Sequence, residues 1–314
     1  MPVDPVLASY SDLAYGTALV LYLFAMVLHA VEYAGGRVHS LAAAAQRTGV
    51  GGEGPVATLA PPEYGRSRPE RIGRSAVALT ALATAVHGCS LVLRGAAAAR
   101  VPWGNMYEFT SVLCFVAVLA WLVVLHRQRA SAPALRQLGM FVLLPVVVLM
   151  FLGGTVLYAD VAPLIPALNS YWIVIHVSAA ATSSGILLVS GVASVLYLVR
   201  ERVGQSASRL PASATLDRLA YRTTVVAFPI WTFTLITGAI WAEVAWGRYW
   251  GWDPKETFAL VAWVVYACYL HARATAGWRG SRAAWINVVG FSVMVFNFFF
   301  VNIVIAGLHS YAGL

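Results

Sequence analysis

The chain has 314 residues, of which 60% are hydrophobic and only 11% charged, with a net charge of +8. Soluble domains carry roughly 25% charged residues, so a soluble protein with a large core is excluded. The basic residues do not form one patch. They fall in short segments between apolar runs, which excludes nucleic-acid binding and points to membrane orientation.

The sequence predicts an all-α, polytopic integral membrane protein with about eight spanning helices. The N-terminal twelve residues hold two Asp and no Lys or Arg, which is not a secretory leader, so the first run reads as a retained anchor. The predicted spans are residues 13–33, 75–93, 106–125, 138–157, 172–199, 223–245, 254–272 and 285–308. Each approaches or exceeds the ~20 apolar residues that cross a bilayer, and the fifth is long enough to tilt or protrude.

Residues 1–74 comprise the first span and a Gly-, Pro- and Arg-rich loop, expected to be flexible and cytoplasmic. Residues 75–314 form the main membrane domain. No internal repeat is visible, which disfavours an inverted-repeat transporter. With both termini outside, 17 basic residues fall in inside loops. Four remain outside: Arg94, Arg100, Arg248 and Lys255.

Cys89, Cys114 and Cys268 lie inside apolar runs and form no Cys-x-x-Cys pair, which argues against a disulfide framework or a zinc site. Cys-x-x-Cys-His is absent too, so the chain is not itself a c-type cytochrome.

The segment Trp246-Gly-Arg-Tyr-Trp-Gly-Trp-Asp-Pro-Lys-Glu-Thr257 lies between the sixth and seventh spans, in an external loop at about 245–257. Its aromatics are separated by glycines. They fit two readings equally well: an interfacial aromatic belt, or a platform for a large flat ligand. Asp253, Pro254 and Glu256 also read as a helix start, with Asp at N-cap, Pro at N1 and Glu at N3.

Seven histidines sort by depth. His176 and His309 fall level with the tryptophan loop, where two imidazoles suit axial ligation of heme iron or simple interfacial hydrogen bonding. His271 lies 17 residues past Pro254, about 25 Å along a helix, near the cytoplasmic side. As an ionisable residue inside a membrane it is a functional candidate, or else a snorkelling helix-end residue. His87 sits in the second span and is structural or lines a path. His29 and His126 are expected at the cytoplasmic interface, and His39 in the loop.

The tryptophan segment resembles the WWD signature of heme-handling proteins of cytochrome c maturation. The Asp-Pro-Lys-Glu-Thr ending, followed by Trp263, Tyr266, Tyr269, Leu270 and His271, is similar to the CcsA branch, also called ResC or, in some bacteria, CcsB. Asn105-Met-Tyr-Glu108 and Gly307-Leu-His-Ser-Tyr311 fit the same branch. The resemblance spans about residues 87–314. Phe258 departs from it, standing where Trp is expected.

This resemblance implies a heme-handling subunit of a cytochrome c synthase (heme lyase) in a bacterial plasma membrane. Heme b would lie against Trp246, Tyr249, Trp250, Trp252 and Asp253 on the outer face, its iron between His176 and His309. His271 would be a transmembrane heme ligand completed by a CcsB/ResB-type subunit. The other implied partners are apocytochrome c, whose Cys-x-x-Cys-His would receive the heme, and thiol-reducing proteins. Arg248 and Lys255 are candidates for pairing the heme propionates. A heme exporter without attachment activity and a b-type electron-transfer cytochrome are the competing readings.

Overall fold

The computed structural model describes residues 3–48, 67–128, 132–204, 210–305 and 307–309. Among them are nine α-helices, one 3-10 turn and no strand. The helices are α1 (Pro5–Thr48), α2 (Arg68–Ala98), α3 (Met106–Arg127), α4 (Ala132–Arg136), α5 (Gly139–Thr155), α6 (Tyr171–Val203), α7 (Ser213–Trp246), α8 (Pro254–Ala274) and α9 (Ser281–Ile303). Eight segments are long and apolar enough to cross a membrane, the short α4 joining α5 in one of them.

Capping chemistry sets several helix ends. The Asn105 side chain accepts the Glu108 N–H at 2.8 Å to open α3, and Ser170 accepts the Trp172 N–H at 3.3 Å to open α6. α8 opens on a full capping box between Asp253 and Glu256. α7 closes on Gly247, whose φ of 71° is a left-handed cap that glycine adopts without a Cβ clash. Several helices outrun the predicted spans. α1 reaches Thr48, well past residue 33, and α7 begins ten residues before its apolar run. Of the expected loop, residues 49–66 lie outside the described ones.

The helices alternate in direction, so one end of the bundle gathers the segments 99–105, 156–170, 247–253, 304–305 and 307–309. We call it the tryptophan-loop end. α1 packs on α2 and α5, α3 on α5 and α6, α6 on α7 and α9, and α8 on α9 and α7. α6 is the hub, and its buried small residues let neighbours approach. Asn287 of α9 donates to Ser190 at 2.9 Å and Ser194 at 2.6 Å, and Ser190 meets Thr224 of α7 at 2.7 Å. Three helices are thereby tied by buried hydrogen bonds through the Asn287 amide nitrogen, while its Oδ1 is buried without a partner.

Candidate functional site at the tryptophan-loop end

A cavity of about 400 Å³ opens at this end and runs down between α3, α5, α6, α7 and α9. Its walls are aliphatic and aromatic for most of their depth. Near its mouth stand His176, His309, Lys255, Asn105, Tyr249 and Trp250. That is the size and character of a ligand pocket, apolar with a few placed polar groups.

The two imidazoles are held by different means and in the same tautomer. Nδ1 of His176 lies 2.9 Å from the Thr234 carbonyl of α7. A carbonyl only accepts, so Nδ1 carries the proton and Nε2 the lone pair. The approach depends on Gly238, since a Cβ there would stand 2.6 Å from His176 Cε1.

Nδ1 of His309 lies 2.8 Å from Asp253 Oδ2. Burial works to raise the Asp253 carboxyl, but hydrogen bonds from His309 and the Leu308 N–H outweigh it and hold the pKa at about 2. Burial lowers His309 below the ordinary imidazole value, against the raising influence of Asp253. At neutral pH the pair is therefore a neutral imidazole donating to a carboxylate, and Nε2 again bears the lone pair.

Asp253 thus does two things. It caps α8, accepting the Lys255 N–H at 3.2 Å, and it anchors the 307–309 segment through Leu308 N–H at 2.8 Å and His309.

Trp241 joins the two histidines. His176 stacks on it with centroids 5.9 Å apart and planes 11° apart, and His309 meets it at 5.6 Å. Its indole N–H donates to the Ala167 carbonyl at 3.0 Å, which fixes the ring. Sequence reasoning passed over Trp241 because it lies in the apolar run, five residues before the glycine-hinged cluster.

The loop aromatics divide. Tyr249 and Trp250 line the cavity. Trp246 is half-buried behind them, edge-on to His309 at 5.0 Å and to Trp241 at 4.8 Å. Trp252 points outward, 70% exposed, with a φ of 56°. A non-glycine residue held there costs about 1–3 kcal/mol, and capping by the next residue, Asp253, fixes it. Of the two loop cations, Lys255 lines the cavity and donates to Asn302 at 2.7 Å, while Arg248 pairs with Glu256 at 3.5 Å.

The remaining histidines sit elsewhere. His271 is exposed in the last turn of α8, at the opposite end, and so is His126 of α3. His87 is fully buried, 2.9 Å from Ser111 and edge-on to Tyr15 and Tyr22. His29 is not interfacial as expected. It is fully buried against Trp121, beside Glu32, which pairs with Arg136 at 2.5 Å.

The segment that carries Trp103 and Asn105 to the cavity is clamped by Glu108. This fully buried carboxylate accepts from Arg94 Nε at 2.9 Å, Arg100 Nη1 at 2.7 Å and Gly104 N–H at 2.7 Å. The guanidinium of Arg94 also lies over the Tyr107 ring, 4.6 Å from its centroid. Two of the four basic residues that ran against the charge bias are therefore consumed by an internal acid. Glu108→Ala takes the carboxylate partner from Arg100 and leaves Arg94 only Asp12, at 3.4 Å, and is expected to cost about 3–5 kcal/mol, read by denaturant unfolding in bicelles.

Residues 103–309 match the cytochrome c assembly protein family. The cytochrome c biogenesis protein CcsA of Synechococcus sp. (strain CC9605) is 36% identical over 274 residues, covering 74% of this chain and 85% of that one. Its counterpart in Prochlorococcus marinus (strain MIT 9303) is 36% identical over 264 residues, with 74% and 82% covered. That of Chlamydomonas reinhardtii is 35% identical over 227 residues, with 70% and 64% covered.

Proposed function

The chain belongs to the cytochrome c assembly protein family, as a multi-pass membrane protein of cytochrome c maturation, and from that premise we propose that its cavity holds heme b for attachment to apocytochrome c. The observation that carries this reading is the pair His176 and His309. Both line one apolar cavity, and both have Nδ1 committed to an acceptor, so that Nε2 is the ligating nitrogen. Outer acceptors of this kind fix ring orientation and raise ligand basicity. An iron porphyrin needs those two nitrogens together with an apolar slot for its macrocycle.

The chain's own residues position and exclude water. Trp241 backs both imidazoles, and Tyr249 and Trp250 stand at the mouth. Lys255, whose ammonium donates to Asn302 Oδ1 on the cavity wall, offers a cation for a propionate. The chemistry of the bound group is addition of each cysteine S–H across a vinyl C=C, sulfur to one carbon and hydrogen to the other, with nothing leaving and no net oxidant. Holding thiol and vinyl side by side is where the rate gain arises. The histidine of Cys-x-x-Cys-His would then replace one imidazole on iron. In this reading the mouth lies on the outer face of a bacterial plasma membrane, the side on which both termini and the tryptophan loop would lie.

His271 belongs to a second site in this reading. An ionisable side chain exposed on a membrane helix is costly unless a partner covers it. A CcsB/ResB-type subunit supplying the opposing imidazole would do so. Thiol-reducing proteins would keep the acceptor cysteines competent.

The test is co-expression with the candidate partner and a Cys-x-x-Cys-His acceptor, followed by a pyridine hemochrome spectrum and heme stain of the acceptor. Thioether-linked heme supports attachment. Heme bound by this chain with a heme-free acceptor means export alone, and no heme at either place removes the heme reading.

Two smaller effects follow. Gly238→Ala drives a methyl into His176 and is expected to lower copurified heme per protein while leaving secondary structure by circular dichroism intact. Lys255→Met is expected to lower copurified heme, whereas Arg248→Met leaves it near wild type, because Arg248 is turned to Glu256.

A further inference from the structure

The turn between α8 and α9, at the end of the bundle opposite the tryptophan loop, carries charge that the rest of the chain does not neutralise. After Glu256 the sequence contains no Asp or Glu, so an arginine beyond it can only pair with an acid of an earlier segment. Arg273 finds one, its guanidinium meeting both oxygens of Asp217 in α7 at 2.6 and 2.8 Å. Arg279 and Arg282 have no carboxylate partner among the described residues. Both are exposed, and both lean on the carbonyls that follow α8. Arg279 Nε donates to the Arg273 carbonyl at 3.0 Å, and Arg282 Nη1 to the Gly277 carbonyl at 3.3 Å. One bond each leaves most of the N–H donors of each guanidinium unused. The frame that presents them is defined: Gly277 and Gly280 turn the chain at φ of 77° and 79°, and the Thr275 hydroxyl donates to the His271 carbonyl at 2.9 Å.

Two indoles flank the arginines. Trp278 is 48% exposed and Trp285 52%. Arg282 lies over the Trp278 ring, its Cζ 5.8 Å from the centroid. Trp285 sits four residues into α9, about 6 Å from its start. Val289, one turn further, is exposed on the same face, whereas Asn287, Gly290 and Met294 form the buried face of that helix. Neither Trp285 nor Val289 lines the cavity. Tryptophan settles at the headgroup level of a bilayer, and cations held at that level meet lipid phosphates. A guanidinium fork matches a phosphate in geometry as well as charge.

We propose that this turn binds an anionic phospholipid. Arg279 and Arg282 take its phosphate, and its acyl chains lie along Trp285 and Val289. A free anion would use the arginines but not the indoles and the apolar face below them. The inference does not depend on what the cavity holds. Arg218 and Arg222 of α7 serve as the reference for charge alone, being exposed at the same end in a stretch without tryptophan.

The test is native mass spectrometry of the full chain, delipidated in detergent and titrated with dioleoylphosphatidylglycerol or dioleoylphosphatidylcholine. In Arg279→Gln with Arg282→Gln, the Kd of the first phosphatidylglycerol is expected to rise about tenfold or more, with phosphatidylcholine binding as in wild type. Arg218→Gln with Arg222→Gln removes the same charge from the same end and is expected to leave that Kd near wild type. Trp285→Ala keeps every charge and touches no arginine, so it tests the site even where the first variant fails to fold. It too is expected to weaken phosphatidylglycerol. An unchanged Kd in both the Arg279/Arg282 and the Trp285 variants overturns the site. An equal loss in the Arg218/Arg222 variant overturns it as well, leaving only general attraction of charge. Displacement of the lipid by equimolar inorganic phosphate overturns the lipid as occupant. Loss of the copurifying partner subunit with unchanged lipid binding gives the face to a protein instead.

Discussion

His176→Gly and His309→Gly are each expected to lose most of the copurified heme and most cytochrome c maturation, with added imidazole restoring both. Each glycine leaves a hole beside the apolar wall, not a rival side chain, and Trp241 keeps its Ala167 hydrogen bond in either case. A free imidazole fits that hole and brings back the missing Nε2. Removing a ligand costs more than removing its outer hydrogen-bond partner, an effect of about 10–100-fold in affinity, so each loss should exceed that range. The measurement is a reduced visible spectrum normalised to protein, beside the heme-stained acceptor, with and without imidazole. Retained heme in both variants together with continued maturation would defeat the ligand assignment. It would return the tryptophan loop to the role of an interfacial belt.

The membrane helices were legible because a bilayer demands long apolar runs, and such runs are local. Their ends were less so. α1 and α7 continue as helices through polar residues that hydropathy counts as loop. The site splits along the same line. The Asp253 cap was readable, since its partners lie within three residues. Its bond to His309, 56 positions away, was not, and neither was that of His176 to the Thr234 carbonyl, 58 away. Depth along the chain grouped the two histidines with the loop aromatics, but depth carries no azimuth. It therefore did not separate Trp250, on the cavity wall, from Trp252, facing out, or reveal Trp241 between the imidazoles. For the same reason His29 read as interfacial. Its burial depends on Trp121 and Thr80, side chains that only the fold brings together.

Asp253→Ala is the second large expected effect, and it separates a positioning carboxylate from a plain helix cap. The variant loses the acceptor for His309 Nδ1 and for Leu308 N–H together, which frees the segment that brings His309 to the cavity. Heme affinity should fall about 10–100-fold. The helix-cap component alone is worth ~1 kcal/mol of stability and leaves the ligand set untouched. Asp253→Asn keeps a side-chain oxygen that accepts from Nδ1–H, so its loss should be smaller.

Heme affinity is the readout that a merely structural role does not move, and the pH profile adds the protonation states behind it. In the wild type, burial lowers His309, so heme should persist as pH falls through the ordinary imidazole value of about 6.5 and dissociate only below it. Asp253 raises His309. Its removal lowers the imidazole further, so any heme the variant retains cannot be lost at a higher pH through protonation of His309. The Asp253 carboxyl adds its own window. Because folding holds it at about 2, below the free value of about 3.9, its contribution to stability is complete above roughly pH 5. That contribution drains away as pH falls towards 2, and the drain should be absent from Asp253→Ala. Heme titrations at neutral pH and acid unfolding curves of the three proteins decide the matter. Equal heme affinity in wild type and Asp253→Ala would reduce Asp253 to a cap.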